Sequence, residues 1–203
     1  MEPDPKLLEE LKYLVTKRHK WYRNTLRTNL AHSPDDVVQK GTWRQLKVGL
    51  YSNGVRAGQN EVADRMLAIV QEMLPAANIN SLQLNRNLQC APHRDARNSS
   101  LQSYILCFGE FEGGALVLED GRRFEERNVW HSFDGRGITH WNEPILPNAD
   151  GVMMKYSIVA YSHSGTTGGA ARKRTKVHWL RALLLGCRRR LRILNGSTPS
   201  GTD

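Results

Sequence analysis

The chain has 203 residues, 39% of them apolar and 24% charged, with a formal charge of +9 at neutral pH. That length and apolar share suit one domain with extensions and a core of its own. There is no run of eighteen apolar residues, the acidic start from Met1 to Pro5 does not read as a secretory leader, and Cys90, Cys107 and Cys187 lack the even count or Cys-x-x-Cys spacing of a disulfide framework or zinc site. The expectation is an intracellular protein, nuclear or cytoplasmic, with no transmembrane segment; composition leaves the oligomeric state open.

Two amphipathic stretches come first. Leu7, Leu8, Leu11, Leu14, Val15, Tyr22 and Leu26 follow a helical period, with Lys17, Arg18 and Lys20 off the stripe, which predicts a helix over 5–30. A second helix is predicted over 60–74, apolar at Val62, Met66, Ile69, Val70 and Met73 and closed by Pro75. The pattern then changes period. Residues 103–108 read as a buried strand, 109–114 as a glycine-rich turn, and 115–119 as another strand. Asp120-Gly121 is a tight hairpin signal, 129–133 a further apolar run, Asp134-Gly135 another turn, and 153–161 a long β-branched and aromatic strand. Short strands punctuated by glycine turns predict a sandwich or jelly roll over about 79–163.

Charge is unevenly distributed. Residues 165–203 hold nine Lys or Arg and one acid, which leaves twenty basic and nineteen acidic residues, a balance of +1, for 1–164. Residues 165–169 read as a flexible linker. Arg172, Lys173, Arg174 and Lys176, then Arg188, Arg189 and Arg190, flank an apolar stretch centred on Leu183, Leu184 and Leu185. The expected organisation is therefore a domain over 1–164 followed by a linker and basic tail over 165–203. The tail suits nucleic-acid binding, a nuclear address or an anionic membrane surface, with a plain solvated tail as the alternative.

His93 and Asp95 are separated by Arg94 alone, so on an extended strand their side chains share a face, about 6 to 7 Å apart at the Cα. With a second histidine from a distant strand they make a 2-His-1-carboxylate set, which occupies one face of a metal such as Fe(II) and leaves the other open. His140, after the Phe133-Asp134-Gly135 turn, is the preferred distal ligand, and His131 is its rival. His93-Arg94-Asp95 also opens a protein kinase catalytic loop. That loop needs an asparagine five residues after the aspartate, where Ser100 stands, and the kinase phosphate loop and Asp-Phe-Gly are missing. His19, His32, His163 and His178 read as surface residues.

The ordered series from about 82 to 161 resembles the Fe(II)- and 2-oxoglutarate-dependent dioxygenases. Asn85-Arg86-Asn87 precedes the His93/Asp95 pair. Phe111-Glu112-Gly113-Gly114-Ala115-Leu116 is similar to that family's Gly-Gly hairpin, and Lys155 stands fifteen positions after His140. The resemblance implies an α+β fold with a mainly β core, a double-stranded β-helix (jelly roll) braced outside by the N-terminal helices. It implies His93, Asp95 and His140 as metal ligands, Fe(II) as the metal, 2-oxoglutarate as co-substrate and O2 as oxidant. Lys155 would pair with the far carboxylate of 2-oxoglutarate, where most members of the most similar branch carry arginine and other branches use lysine, a point charge in place of a planar fork. Arg94 and Arg97 are the alternatives for that role. Ser157, Asn85 and Tyr104 are further co-substrate candidates, and Trp130 and Trp141 candidates for shaping the pocket.

Asn85, Asn87, Asn98 and the hairpin are most similar to the TET/JBP-like branch, which implies oxidation of a pyrimidine methyl group in DNA or RNA. A prolyl-type protein hydroxylase and a catalytically silent β-helix used for binding are the competing readings.

Overall fold

Among the described residues, eleven strands make most of the structure, and two helical segments cover one face of the larger sheet. The computed structural model describes residues 1–18, 21, 43–50, 56–57, 60–96, 98 and 102–163. The linker and basic tail, with Arg97, His19, His32 and His178, lie outside the described residues.

α1, Pro5–Tyr13, starts where Asp4 accepts hydrogen bonds from the Lys6 and Leu7 amides at 2.9 and 3.1 Å, satisfying donors that have no partner within the helix. It passes into a π-helical turn, Leu14–Arg18. Within the helix predicted over 5–30, the described residues are α-helical over Pro5–Tyr13 and π-helical over Leu14–Arg18, and 19–20 and 22–30 lie outside the described residues. α2, Glu61–Met73, is capped by Asn60, whose side chain accepts from Ala63 N at 2.9 Å, close to the predicted 60–74.

The strands are β1 Arg44–Leu50, β2 Arg56–Ala57, β3 Ser81–Arg86, β4 Gln102–Glu110, β5 Glu112–Gly113, β6 Leu116–Leu118, β7 Arg123–Phe124, β8 Trp130–Asp134, β9 His140–Asn142, β10 Ile145–Leu146 and β11 Met154–Tyr161. The larger sheet has the order β2-β1-β3-β11-β4-β8 and is antiparallel throughout. A smaller sheet runs β7-β6-β9 and is widened by a bridge between His93 and His140. The chain alternates between them: β3 large, His93 small, β4 large, β6 and β7 small, β8 large, β9 small, β11 large. Two sheets wound in this way form the expected double-stranded β-helix.

Period-2 alternation divides the larger sheet into two faces. Leu82, Leu84, Leu106, Phe108, Trp130, Ile158 and Ala160 pack with Leu8, Leu11 and Val15 of the first helical segment and Met66, Ile69 and Val70 of α2. The opposite face meets the smaller sheet. There Ile105 and Phe133 pack with Leu116 and Leu118, while Gln83, Asn85, Lys155 and Ser157 are buried polar residues of the same face. β1 was not anticipated from the sequence. It adds a strand beside β3, and its Gly49 (φ +92) lies so close to Asn80 that a Cβ would fall 2.1 Å from that carbonyl oxygen.

Candidate metal centre

The His93–His140 bridge builds the site. His93 N donates to His140 O at 3.0 Å and His140 N to His93 O at 2.9 Å, so two segments 47 positions apart in sequence place their imidazoles side by side, ring centroids 4.4 Å apart. Asp95 is brought in by its own amide, which donates to Gly135 O at 2.8 Å, and by Asn98, whose amide donates to Asp95 O at 3.0 Å while its side chain donates to Ser103 Oγ at 3.2 Å. The Asp134-Gly135 turn therefore fixes the carboxylate as well as the approach to β9.

The three side chains converge. One ligand atom from each of His93, Asp95 and His140 lies within 4.8 Å of the others. Asp95 Oδ1 is 3.8 Å from His93 Nε2, and Oδ2 is 3.8 Å from His140 Nε2. Each histidine has Nδ1 against a backbone carbonyl, His93 on Ala91 O at 2.8 Å and His140 on Ile138 O at 3.0 Å. A carbonyl only accepts, so Nδ1 carries the proton in both rings, which leaves each Nε2, 3.8 Å from an Asp95 oxygen, as the ring nitrogen available to a metal. Phe133 meets the His140 ring edge-on at 5.1 Å and helps seat it in the space between the sheets. Two imidazoles offering Nε2 and a carboxylate fit a divalent transition metal, Fe(II) included.

His131 is not part of this cluster. It lies on β8, its ring stacked on Phe124 at 4.8 Å. Arg94, between His93 and Asp95, is engaged with Thr139 Oγ1 at 3.0 Å and Glu119 at 2.8 Å, which argues against the co-substrate role considered for it. Tyr104 is also displaced from its expected place, because alternation along β4 puts it on the helix-covered face, against the large core. Trp130 is on that face too and donates to Met73 Sδ at 3.4 Å. Trp141 follows His140 directly on β9, so alternation turns it to the other face of the smaller sheet.

Lys155 is 3% exposed, and its ammonium donates to Gly114 O and lies 5.6 Å from the centre of the Phe111 ring. No carboxylate among the described residues is within ion-pair distance of it. One position along the same face, Ser157 Oγ accepts from Asn85 Nδ2 at 3.3 Å, and Asn85 Oδ1 accepts from Gln83 Nε2 at 3.1 Å. Cys107 is paired opposite Ser157; burial pushes its thiol above the ordinary range, against the opposing pull of the Lys155 and Arg127 charges.

The Gly-Gly hairpin now has a physical reason. Gly114 has φ +68, and a Cβ there would lie 3.3 Å from Lys155 Cδ and Nζ and 3.0 Å from Ile145 Cγ1. Gly114→Ala should cost about 1–2 kcal/mol of stability from the left-handed backbone alone, and it should also push the Lys155 side chain aside. Denaturant melts check the first effect, and a melt indistinguishable from wild type would contradict it.

Solved structures similar to this chain include these two. One is the C-terminal truncated Neurospora crassa protein NcT7HdeltaC in apo form, with TM-score 0.40 and 12% identity, covering 79% of this chain and 78% of that one. The other is the selenomethionine-labelled Fe(II)/α-ketoglutarate-dependent dioxygenase TqaL, with TM-score 0.36 and 9% identity, covering 82% of this chain and 78% of that one. No protein-family model and no curated protein matches the sequence. The roles of individual residues rest on the geometry of this chain itself.

Proposed function

We propose that this protein is an Fe(II)- and 2-oxoglutarate-dependent dioxygenase that hydroxylates a methyl group of a pyrimidine base in nucleic acid. The observation that carries the chemistry is the convergence of His93, Asp95 and His140 within 4.8 Å, with both imidazoles presenting Nε2. These three residues would hold Fe(II). Bound there, the metal supplies oxygen activation: with 2-oxoglutarate as reductant, one oxygen atom enters a substrate C–H bond and the other leaves in succinate, with release of carbon dioxide.

The remaining work falls to the protein. Lys155 is buried, hydrogen-bonded to Gly114 O beside the Phe111 ring, with the Glu143 carboxyl close enough to feel its charge but not paired with it, and the distal carboxylate of 2-oxoglutarate would give it a direct partner. Ser157 and Asn85 offer hydroxyl and amide donors next to it. Ile105, Leu116, Leu118 and Phe133 keep water from the opposite wall. Dryness there strengthens the Lys155–carboxylate attraction and protects the reaction from side reactions with solvent.

Support for a nucleic-acid substrate comes from the similarity of Asn85, Asn87, Asn98 and the hairpin to the TET/JBP-like branch, and from the charge division. Several arginines of the smaller sheet are neutralised locally, Arg94 by Glu119, Arg122 by Asp120 and Arg123 by Glu143, whose carboxyl is held below the usual range by the hydrogen bond from Arg123. The excess charge is in 165–203. Incubating the protein with Fe(II), 2-oxoglutarate and oxygen against oligonucleotides with and without methylated pyrimidines tests the substrate. Succinate formation coupled to a gain of one oxygen on the base is expected. Coupled turnover on peptides alone would replace this reading with a protein hydroxylase.

Deleting residues 170–203 should leave uncoupled 2-oxoglutarate turnover nearly unchanged, since every proposed ligand precedes the cut, and should weaken nucleic-acid binding. For every phosphate that the tail neutralises, its removal flattens the slope of log affinity against log salt by about 0.7 to 0.9. Equal affinity and equal slope in the two proteins would remove the tail as a nucleic-acid anchor.

A further inference from the structure

We infer that Asn87 is the positioning residue that sets Lys155 for the co-substrate, an inference that rests on the dioxygenase reading of the site. Asn87 follows the last residue of β3 and has φ +49, in the left-handed region that asparagine tolerates better than most residues. That backbone turn ends the β3–β11 ladder after the Arg86–Tyr156 pair and folds the Asn87 side chain back over the first residues of β11.

Three hydrogen bonds result. Asn87 N donates to Lys155 O at 2.8 Å, Lys155 N donates to Asn87 Oδ1 at 2.7 Å, and Asn87 Nδ2 donates to Met153 O at 2.9 Å. Asn87 is 3% exposed, so these bonds are made away from solvent competition. On the other side of β11, Lys155 is paired with Gly109, whose φ of +113 lets it approach Met154 O where a Cβ would fall 2.1 Å away. The backbone of Lys155 is thus gripped from both flanks, and its side chain runs past Gly114 to the hairpin carbonyl.

The grip is local. β11 is a central strand, held further along by Ile158 and Ala160 in the large core, so loss of the Asn87 side chain should free the 153–155 segment without undoing the strand. Among the described residues, the hydrogen bonds of Asn87 go to Lys155 and Met153 and not to the ligand cluster of His93, Asp95 and His140. A positioning role for Lys155 therefore predicts an effect on co-substrate affinity and little on metal binding or on the rate at saturation.

Asn87→Gly is the variant of choice, because glycine keeps the left-handed backbone and the Asn87 N to Lys155 O bond while removing both side-chain bonds. Asn87→Asp restores an acceptor for Lys155 N. On the full chain, binding of 2-oxoglutarate should be measured by calorimetry with Mn(II) in the site, alongside the 2-oxoglutarate KM and kcat with Fe(II) and the apparent Mn(II) affinity. For Asn87→Gly the dissociation constant and KM should rise about tenfold, in line with removal of two buried hydrogen bonds, with kcat and Mn(II) affinity within about twofold of wild type. Asn87→Asp should recover part of the loss. A folded Asn87→Gly protein with wild-type 2-oxoglutarate affinity would overturn the assignment, as would a parallel fall in kcat and metal affinity. Should wild-type protein itself bind Mn(II) but no 2-oxoglutarate, the dioxygenase reading fails and the assignment with it.

Discussion

Alanine at His93, Asp95 or His140 is expected to abolish Fe(II)-dependent turnover of 2-oxoglutarate, each substitution by itself. Three protein donors converge on the site and no fourth side chain among the described residues stands ready to replace one. Loss of a supporting partner of a metal ligand typically costs roughly 10- to 100-fold, and loss of a ligand should exceed that. The fold should survive, since the cores are built mainly from Leu, Ile, Val, Met and Phe of the helices and other strand positions. His140 is the most buried of the three, so its alanine variant should show the largest drop in stability, and circular dichroism separates that from loss of metal. His131→Ala is the control. His131 stacks on Phe124 away from the cluster, and its alanine variant should keep metal affinity. Metal lost from His131→Ala and kept by His140→Ala would reverse the choice of distal ligand.

The cluster of His93, Asp95 and His140 was legible in the sequence as a candidate because its geometry is mostly local. His93 and Asp95 are two positions apart, and the Phe133-Asp134-Gly135 turn marks where the chain returns to deliver His140. What the sequence could not show was the bridge that puts His140 beside His93, since the reciprocal hydrogen bonds of that pair depend on sheet register. The strands of the core were legible where apolar residues run or alternate between glycine turns, as in β4, β8 and β11. β1 was missed because Leu46 and Val48 are its only large apolar residues before Leu50, set among Arg44, Gln45 and Lys47, with Gly49 breaking the pattern for the sake of a close backbone approach. Tyr104 was misplaced for a related reason. A residue's nearness to a ligand strand in sequence says nothing of which sheet face it takes, and one position of register sends Tyr104 to the helices while Ser103 and Ile105 face inward. Asn87 carried no signal beyond its place in the Asn85-Arg86-Asn87 motif; its role depends on a positive φ and on a partner 68 positions away.

Lys155→Ala should raise the apparent 2-oxoglutarate constant by well over tenfold. Truncating one partner of a desolvated charge pair typically costs about 2 to 5 kcal/mol, and the 3% exposure of Lys155 places the pair in that regime. Without co-substrate, the same ammonium is a buried cation hydrogen-bonded to Gly114 O beside the Phe111 ring, with the Glu143 carboxyl interacting with its charge without pairing with it. Burial of an unneutralised charge is unfavourable, so Lys155→Met, which fills similar space without charge, should leave the ligand-free protein as stable as wild type or more so while losing co-substrate binding. Stability and function would then be opposed at this position, as expected where a binding group is held ready for a ligand. An unchanged co-substrate constant in Lys155→Ala would move the anchor elsewhere; Arg94 is engaged with Glu119 and Thr139, which leaves Arg97 as the next residue to substitute.

Anaerobic calorimetry of the full chain, titrated first with Fe(II) and then with 2-oxoglutarate, tests the central claim most directly. One Fe(II) per chain should bind, 2-oxoglutarate should bind tightly only after the metal, and His140→Ala should do neither. Binding of 2-oxoglutarate with equal affinity in the presence and absence of Fe(II), or a wild-type chain that takes up no Fe(II), would contradict the assignment of His93, Asp95 and His140 as the iron site of a dioxygenase.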